Sequence, residues 1–174
     1  MDKRDFKLEV KTVGDEGTFE GMLSVYGEKD SQNDVMEPNA FTKSIFENRG
    51  KVPMLWQHDT KSPIGTLSLE DTPKGLKVVG DLVLEVAQAR EAYALLRKGV
   101  IRGLSIGYST VKSQMISGVR HLKEVRLYEG SLVTFQSGPS AQVSSVKSDE
   151  NAELARILDE FNANLQRDLR RLGL

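Results

Sequence analysis

Alternation of apolar and polar residues is the feature that most constrains the fold of this chain. From Phe6 to about Lys147, short alternating runs are separated by Gly, Asp, Asn and Pro residues. Successive side chains of a strand point to opposite faces, so such runs predict half-buried β-strands joined by turns, as in a β-sandwich or barrel. We predict strands at 6–13, 18–26, 52–57, 63–70, 75–84, 101–112, 119–128 and 131–136.

Two segments within this pattern favour helices instead. Their predicted spans are 40–49 and 88–98. Asn39 can cap the first helix and Gly50 can end it, while the second is rich in Ala, Leu, Glu and Arg and is followed by Gly99. A chain of 174 residues supports one sizeable core with an appended helix. We therefore predict one domain over residues 1–147.

The segment 148–174 has a different composition. Its apolar residues recur at spacings of three and four, which predicts an amphipathic helix: Leu154, Ile157, Leu158, Phe161, Leu165, Leu169 and Leu172. Acidic residues near its start and arginines near its end suit the helix dipole. Because such an apolar stripe must be covered, we expect the helix to bind a partner. The Ser-rich stretch 143–148 would be the tether that joins the helix to the domain. Packing against its own domain is the alternative.

Composition excludes several classes of function. The chain has no cysteine, which rules out disulfides, thiolate nucleophiles and cysteine-ligated zinc. Its two histidines have no recognisable metal-ligand spacing, so we expect neither a metal nor a cofactor. A net charge of −1 gives no field that would favour nucleic acid or an anionic membrane. No signal peptide or bilayer-spanning run is visible, and we expect a cytoplasmic protein.

Ser105 is the candidate nucleophile. Alternation within 101–112 places Leu104, Ile106 and Tyr108 on one face and Ser105, between two glycines, on the other. Glycines inside a strand often mark the close approach of another backbone, as a peptide substrate would make. The alternative is a serine on a solvent face beside two turn glycines.

The string Gly103–Gly107 also matches the G-x-S-x-G elbow of α/β-hydrolases. An elbow requires a helix directly after the serine, followed later in the chain by an acid and a histidine. Here the residues after Ser105 have a strand-like composition, and no acid separates Ser105 from His121. The context therefore excludes an elbow.

His58 is the candidate base. A serine hydroxyl is a poor nucleophile and needs an imidazole within hydrogen-bond reach, held in turn by a third group. His58 follows an apolar run, and alternation places Met54 and Trp56 on its own face. At the edge of such a surface, burial and a carboxylate neighbour can tune an imidazole for proton transfer. The alternative is a histidine that ends a strand before the turn at Asp59.

Glu129 is the candidate third member. If alternation persists through Gly130, the face of Glu129 also holds three apolar residues, Val125, Leu127 and Val133. A carboxylate is costly to bury there without a partner, and an imidazole is a natural one. An ion pair with Arg126 is the alternative. Two other residues are rivals for the third position, Asp59 and His121.

The ordered set of motifs resembles the prohead (capsid maturation) protease family of tailed bacteriophages, relatives of the herpesvirus assemblin-type serine proteases. The resemblance covers about residues 5–147. It rests on Phe19–Gly21 with Asp30 and Asp34, Glu37–Phe41, Trp56–Asp59 with Pro63–Gly65, Lys74–Leu76, Gly103–Tyr108 and Glu129–Val133. Two positions depart from the family pattern: Asn39 stands where glycine is common, and Thr134–Pro139 replaces a stretch leading to a proline–alanine pair.

The resemblance implies an α+β fold centred on a mainly antiparallel β-barrel, and a serine endopeptidase. It implies His58 as general base, Ser105 as nucleophile and Glu129 as orienting acid. Such an enzyme is packaged in the immature phage shell, the prohead, within the host cytoplasm. There it would cleave the scaffolding region of the major capsid protein, and itself. The partners we expect for the C-terminal helix are accordingly that scaffolding region or a second copy of the chain.

A function from another class is a non-catalytic assembly module. With the same barrel, it would act as an internal scaffold through the C-terminal helix. The presence of both Ser105 and His58 argues against this alternative, because a purely structural role needs neither residue.

Truncation tests the proposed division between 1–147 and 148–174. A chain ending at Ser148 should keep its circular dichroism spectrum and its reactivity toward a fluorophosphonate. It should lose self-association or capsid-protein binding relative to the full chain, measured by size-exclusion chromatography and pull-down. Unfolding of the truncated chain would instead assign the C-terminal segment to the core of the domain.

Overall fold

Strands make up most of the regular structure. The computed structural model describes residues 17–30 and 33–135, and the backbone of residues 2–6. The strands are β1 (Asp2–Phe6), β2 (Thr18–Val25), β3 (Asp34–Met36), β4 (Lys51–Trp56), β5 (Asp59–Thr72), β6 (Gly75–Leu82), β7 (Gly103–Ile116) and β8 (Val119–Val133). The helices are α1 (Thr42–Glu47) and α2 (Ala87–Arg97). Neither helix is long and apolar enough to cross a bilayer.

All of these strands belong to one curled sheet in the order β1-β7-β8-β4-β5-β6-β2, with β3 also paired to β8. Most neighbours are antiparallel, whereas β3 and β4 both run parallel to β8. The α+β class is therefore as predicted. Of the predicted barrel, the structure shows a curled half-barrel, because no hydrogen-bonded ladder joins the end strands β1 and β2 within the described residues.

The core lies on one face of this sheet, and helix α2 contributes to it. Its largest fully buried side chains include Tyr108, Phe19, Phe41, Met54, Leu67 and Leu96. Each such side chain contributes about 1.5–3 kcal/mol when removed from water. Leu104, Ile106 and Tyr108 all point into this core, which confirms the alternation predicted for their strand.

Helix α1 packs against β8 at a gap between its two parallel partners. There Ser44 Oγ donates to Val125 O and accepts from Leu127 N, both at 2.8 Å. Asn48 Nδ2 donates to Leu127 O at 3.1 Å. Buried backbone groups need partners, so the helix supplies the hydrogen bonds that a neighbouring strand supplies elsewhere along β8.

The predicted start of the first helix is wrong. The helix begins at Thr42 and has no side-chain cap, and Asn39 lies before it with a φ of 66°. Asparagine and glycine tolerate this left-handed conformation better than other residues. Asn39 thus adopts a backbone conformation that suits glycine, the residue common at this position in the protease family that the chain resembles. Helix α2 agrees with its predicted span to within one residue.

Strand boundaries differ from the prediction at several places. The strand predicted at 63–70 is longer, because β5 runs from Asp59 to Thr72. The predicted strands 119–128 and 131–136 are the single strand β8, and the strand predicted at 101–112 extends to Ile116. Strands β1 and β3 were not predicted, because five and three residues are too short to show a clear period. The strand predicted at 6–13, apart from Phe6, and the C-terminal helix lie outside the described residues.

Close approach of strands β5 and β6 makes Gly65 sensitive to substitution. A Cβ atom at Gly65 would lie 2.1 Å from the backbone oxygen of Asp81, which cannot move without shifting the strand. Gly65→Ala should lower the free energy of unfolding by about 2–3 kcal/mol. At Gly27 the space is open and only its φ of +73° is unfavourable, so Gly27→Ala should cost about 1 kcal/mol. Urea unfolding measures both, and equal losses would contradict the close approach.

Candidate active site

Ser105, His58 and Glu129 form a chain of hydrogen bonds. His58 Nδ1 lies 2.7 Å from Glu129 Oε1, and His58 Nε2 lies 2.5 Å from Ser105 Oγ. The structure thus brings the three predicted site residues together, although they are far apart in the chain. Each comes from a different part of the sheet: β7, the β4–β5 turn and β8.

Pairing of β7 with β8 puts the serine and the carboxylate on one face. Ser105 is opposite Ser131, and the neighbouring Gly107 is opposite Glu129. Tyr128 has no partner in this register and forms a bulge between Glu129 and Leu127. A bulge shifts the alternation by one residue. Glu129 therefore leaves the face of Val125 and Leu127, which is a correction to the predicted face, and joins the face of Ser105.

His58 lies in a two-residue turn and not at the end of a strand. Trp56 pairs with Asp59 across the β4–β5 hairpin, and the two residues between them, Gln57 and His58, have φ values of 52° and 60°. Positive φ at both central positions is typical of a type I′ turn, where glycine or asparagine is favoured. The predicted placement of His58 on the face of Met54 and Trp56 is therefore wrong, since strand alternation ends before it.

The end of β8 holds this turn in place. Gln57 N donates to Leu132 O at 2.9 Å, and the Gln57 side chain exchanges hydrogen bonds with Thr134 at 2.7 and 3.3 Å. His58 N donates to Ser131 Oγ at 3.1 Å. A left-handed residue other than glycine costs about 1–2 kcal/mol, and these bonds offset that cost. The position of the imidazole thus depends on β8.

Hydrogen-bond roles around the imidazole follow from Glu129. Its Oε1 faces His58 Nδ1, and its Oε2 accepts from Ser131 Oγ at 2.6 Å. An ionised carboxylate can only accept, so the His58 proton lies on Nδ1. His58 Nε2 then carries no proton and accepts a hydrogen bond from the Ser105 hydroxyl. This arrangement can take a proton from Ser105.

The cluster is buried. Ser105 and Ser131 have no exposed surface, and Glu129 is 3% exposed. The alternative of a serine on a solvent face is therefore wrong, and electrostatic contacts in the cluster are strengthened by the low local dielectric. Strand β1 lies along the other edge of β7, with Asp5 opposite Ser105 in the register.

Asp59, a rival for the third position, makes other contacts. Its carboxylate accepts from Ser62 Oγ at 2.7 Å and from Lys61 N at 2.9 Å, which ties it to its own turn. These two hydrogen bonds, from Ser62 first, hold the pKa of Asp59 below its usual value. Asp59 is therefore an exposed residue at the start of β5 that stays ionised, and its carboxylate is held by Lys61 and Ser62.

His121, the other rival, lies at the opposite end of β8. It pairs in register with Gln114, and its Nδ1 is 2.5 Å from Glu37 Oε1. The distance from His121 to Ser131 is roughly 30 Å along the strand at about 3.3 Å per residue. The alternative partner of Glu129, Arg126, contacts Glu47 at 3.9 Å. Neither residue takes part in the cluster.

Ser131 is the residue of the cluster that sequence reasoning missed. It lies two positions after Glu129 in an extended segment, so the two side chains share a face. That spacing was a usable signal within the string Glu129–Val133. Within residues 17–30 and 33–135, no three acidic or histidine side chains are grouped closely enough to hold a metal ion.

Comparison with known proteins gives a consistent family. The family model described as caudovirus prohead serine protease matches residues 6–155. The prohead protease of Enterobacteria phage HK97 is 32% identical over 162 residues, covering 89% of this chain and 72% of that protein. The capsid polyprotein of Pseudomonas phage PAJU2 is 31% identical over 159 residues, which cover 86% of this chain and 23% of the polyprotein.

The fold is similar to that of a solved phage protein. The capsid assembly protease of bacteriophage T4 superposes with a TM-score of 0.57, covering 76% of this chain and 97% of the T4 chain. At 8% identity this likeness concerns the fold alone. The match of the family model and the identity to the HK97 protein go further. This chain belongs to the caudovirus prohead serine protease family.

Proposed function

We propose that this protein is a serine endopeptidase that cleaves the scaffolding region of the phage capsid protein, and itself, during prohead maturation. The observation that carries the proposal is the hydrogen-bonded chain from Ser105 through His58 to Glu129. Membership of a prohead serine protease family supports the reaction class. Each of the three side chains has the chemistry that its role requires.

In the proposed reaction, Ser105 Oγ attacks the carbonyl carbon of a peptide bond while His58 Nε2 takes its proton. His58 then donates that proton to the departing amine, which leaves an acyl-enzyme on Ser105. Water attacks the ester carbonyl as His58 Nε2 takes its proton; the bond from the acyl carbon to Ser105 Oγ then breaks, His58 returns the proton to Oγ, and the acid product is released. Glu129 keeps the imidazole oriented and stabilises its charged form. Backbone N–H groups would stabilise the oxyanion.

The proposed substrate follows from the relatives. The HK97 relative is named a prohead protease, and the match in phage PAJU2 lies within a capsid polyprotein. Linkage of a homologous segment to a capsid protein supports the capsid protein as the partner. We therefore place the enzyme inside the prohead, in the host cytoplasm, with the major capsid protein and its scaffolding region. The segment 148–174 would bind that region or a second copy of the chain.

Removal of the nucleophile or the base tests the reaction. Ser105→Ala and His58→Ala should each slow trimming of the co-expressed capsid protein by at least ~1,000-fold, because neither remaining group can complete the proton transfer. Intact-mass measurement of both chains gives the readout. Ser113→Ala, an exposed serine on the same strand, is the matched control and should cut normally. Wild-type trimming by Ser105→Ala would disprove the assignment of the nucleophile.

The identity of the third member is tested by two substitutions. Glu129→Gln keeps the shape of the side chain but removes the charge that stabilises the imidazolium, and should reduce the cleavage rate by roughly 100-fold or more. His121→Ala removes only the contact with Glu37 and should leave the rate unchanged. Full activity in Glu129→Gln together with loss of activity in His121→Ala would reverse the assignment.

A further inference from the structure

The hydroxyl of Ser131 joins two members of the cluster. It accepts a hydrogen bond from the backbone N–H of His58 at 3.1 Å and donates one to Glu129 Oε2 at 2.6 Å. A serine hydroxyl has one donor and two acceptor positions, so both bonds can form at once. One atom thus ties the backbone of the base to the carboxylate that orients its ring.

The backbone N–H of His58 is hydrogen-bonded to a side chain, at the point where the pairing of β4 with β8 ends. The parallel ladder of β4 with β8 pairs Trp56 with Leu132, and Gln57 N makes the next bond to Leu132 O. His58 N lies one residue farther on, where the turn leaves the sheet, and Ser131 Oγ accepts its hydrogen bond. Because His58 is held at a φ of 60°, this bond stabilises a backbone conformation that a non-glycine residue disfavours.

The second bond of Ser131 orients the carboxylate. The terminal torsion of a glutamate side chain is broad, so one hydrogen bond to His58 does not fix the plane of the carboxylate. A bond to the other oxygen does fix it. We propose that Ser131 is a positioning residue, which sets the orientation of the His58 ring toward Ser105 through both the Glu129 carboxylate and the His58 backbone. This inference rests on the proposed function.

Loss of the Ser131 hydroxyl should therefore reduce the rate of reaction at Ser105 without changing the affinity for the probe. Ser131→Ala removes both contacts, and misplacement of a catalytic group by about 1 Å can cost on the order of 100-fold. We expect the maximal rate of fluorophosphonate labelling at Ser105 to fall by about 10- to 100-fold. The half-saturating concentration of the probe should stay close to that of the wild type, because Ser131 contacts the base and the carboxylate and not the probe.

Two other buried serines serve as matched controls. Ser24 has a buried hydroxyl with no hydrogen-bond partner among the described residues, so Ser24→Ala should not lower stability and should leave labelling unchanged. Ser44 bridges backbone groups of β8 at Val125 and Leu127. Ser44→Ala should lower the melting temperature but leave the labelling rate unchanged. A lower rate in Ser131→Ala is then separated from a general loss of stability.

Conservative variants and a spectroscopic measurement complete the test. Ser131→Thr keeps the hydroxyl and should label faster than Ser131→Ala even if it is less stable. Ser131→Cys has nearly the original shape, but its thiol is a weak hydrogen-bond donor. This variant should therefore fold normally and label at Ser105 slowly. With only two histidines in the chain, NMR of isotope-labelled histidine can follow the His58 Nδ1 proton. Its downfield signal should shift or broaden in Ser131→Ala and Ser131→Cys and persist in Ser24→Ala.

The outcomes separate this inference from the proposed function. If wild-type protein neither labels at Ser105 nor trims the capsid protein, the proposed function fails. If the wild type labels and Ser131→Ala or Ser131→Cys labels at the same rate with an unchanged Nδ1 signal, only the role of Ser131 is wrong. The inferred role of Ser131 would also be overturned if the labelling rate fell in parallel with the melting temperature, in Ser44→Ala as much as in Ser131→Ala.

Discussion

Strand β8 is the element on which the rest of the structure depends. One edge pairs with β7 along its whole length, and the other bonds to β3, then to the Ser44 hydroxyl of α1, then to β4. A strand that satisfies its backbone on both edges is held in one register, because a slip would break every ladder at once. This register sets which residues of β7 and of the β4–β5 turn meet Glu129.

The candidate active-site cluster of Ser105, His58 and Glu129 depends on two local departures from ideal strand geometry. The bulge at Tyr128 transfers Glu129 to the face of Ser105, and the left-handed turn at Gln57 brings the imidazole back over that face. Each departure is unfavourable by itself and is offset by hydrogen bonds from the end of β8. A buried polar cluster is stable only when every member has a partner, which explains why the buried Ser131 hydroxyl bonds both to Glu129 and to the His58 backbone.

Much of the fold could be predicted from local pattern. Helix α2 and the alternation around Ser105 were correct, since helical periodicity and strand alternation depend on neighbouring residues. The predicted face of Glu129 was wrong, because the bulge at Tyr128 can be recognised only once β7 is aligned beside β8. The start of α1 also differed: Asn39 is a good cap by type, yet it adopts a left-handed turn before the helix. The short strand β3 forms only through its pairing with β8.

The sequence by itself determined the family, the strand-rich class and the chemical types present: one candidate nucleophile, one base and an acid in separate motifs. These depend on residue identity and short-range spacing. Tertiary structure alone decided that His58 contacts Ser105, 47 positions away, and Glu129, 71 positions away, and that His121 and Asp59 do not join them. Contacts over such separations arise from strand pairing and register, which no local pattern encodes.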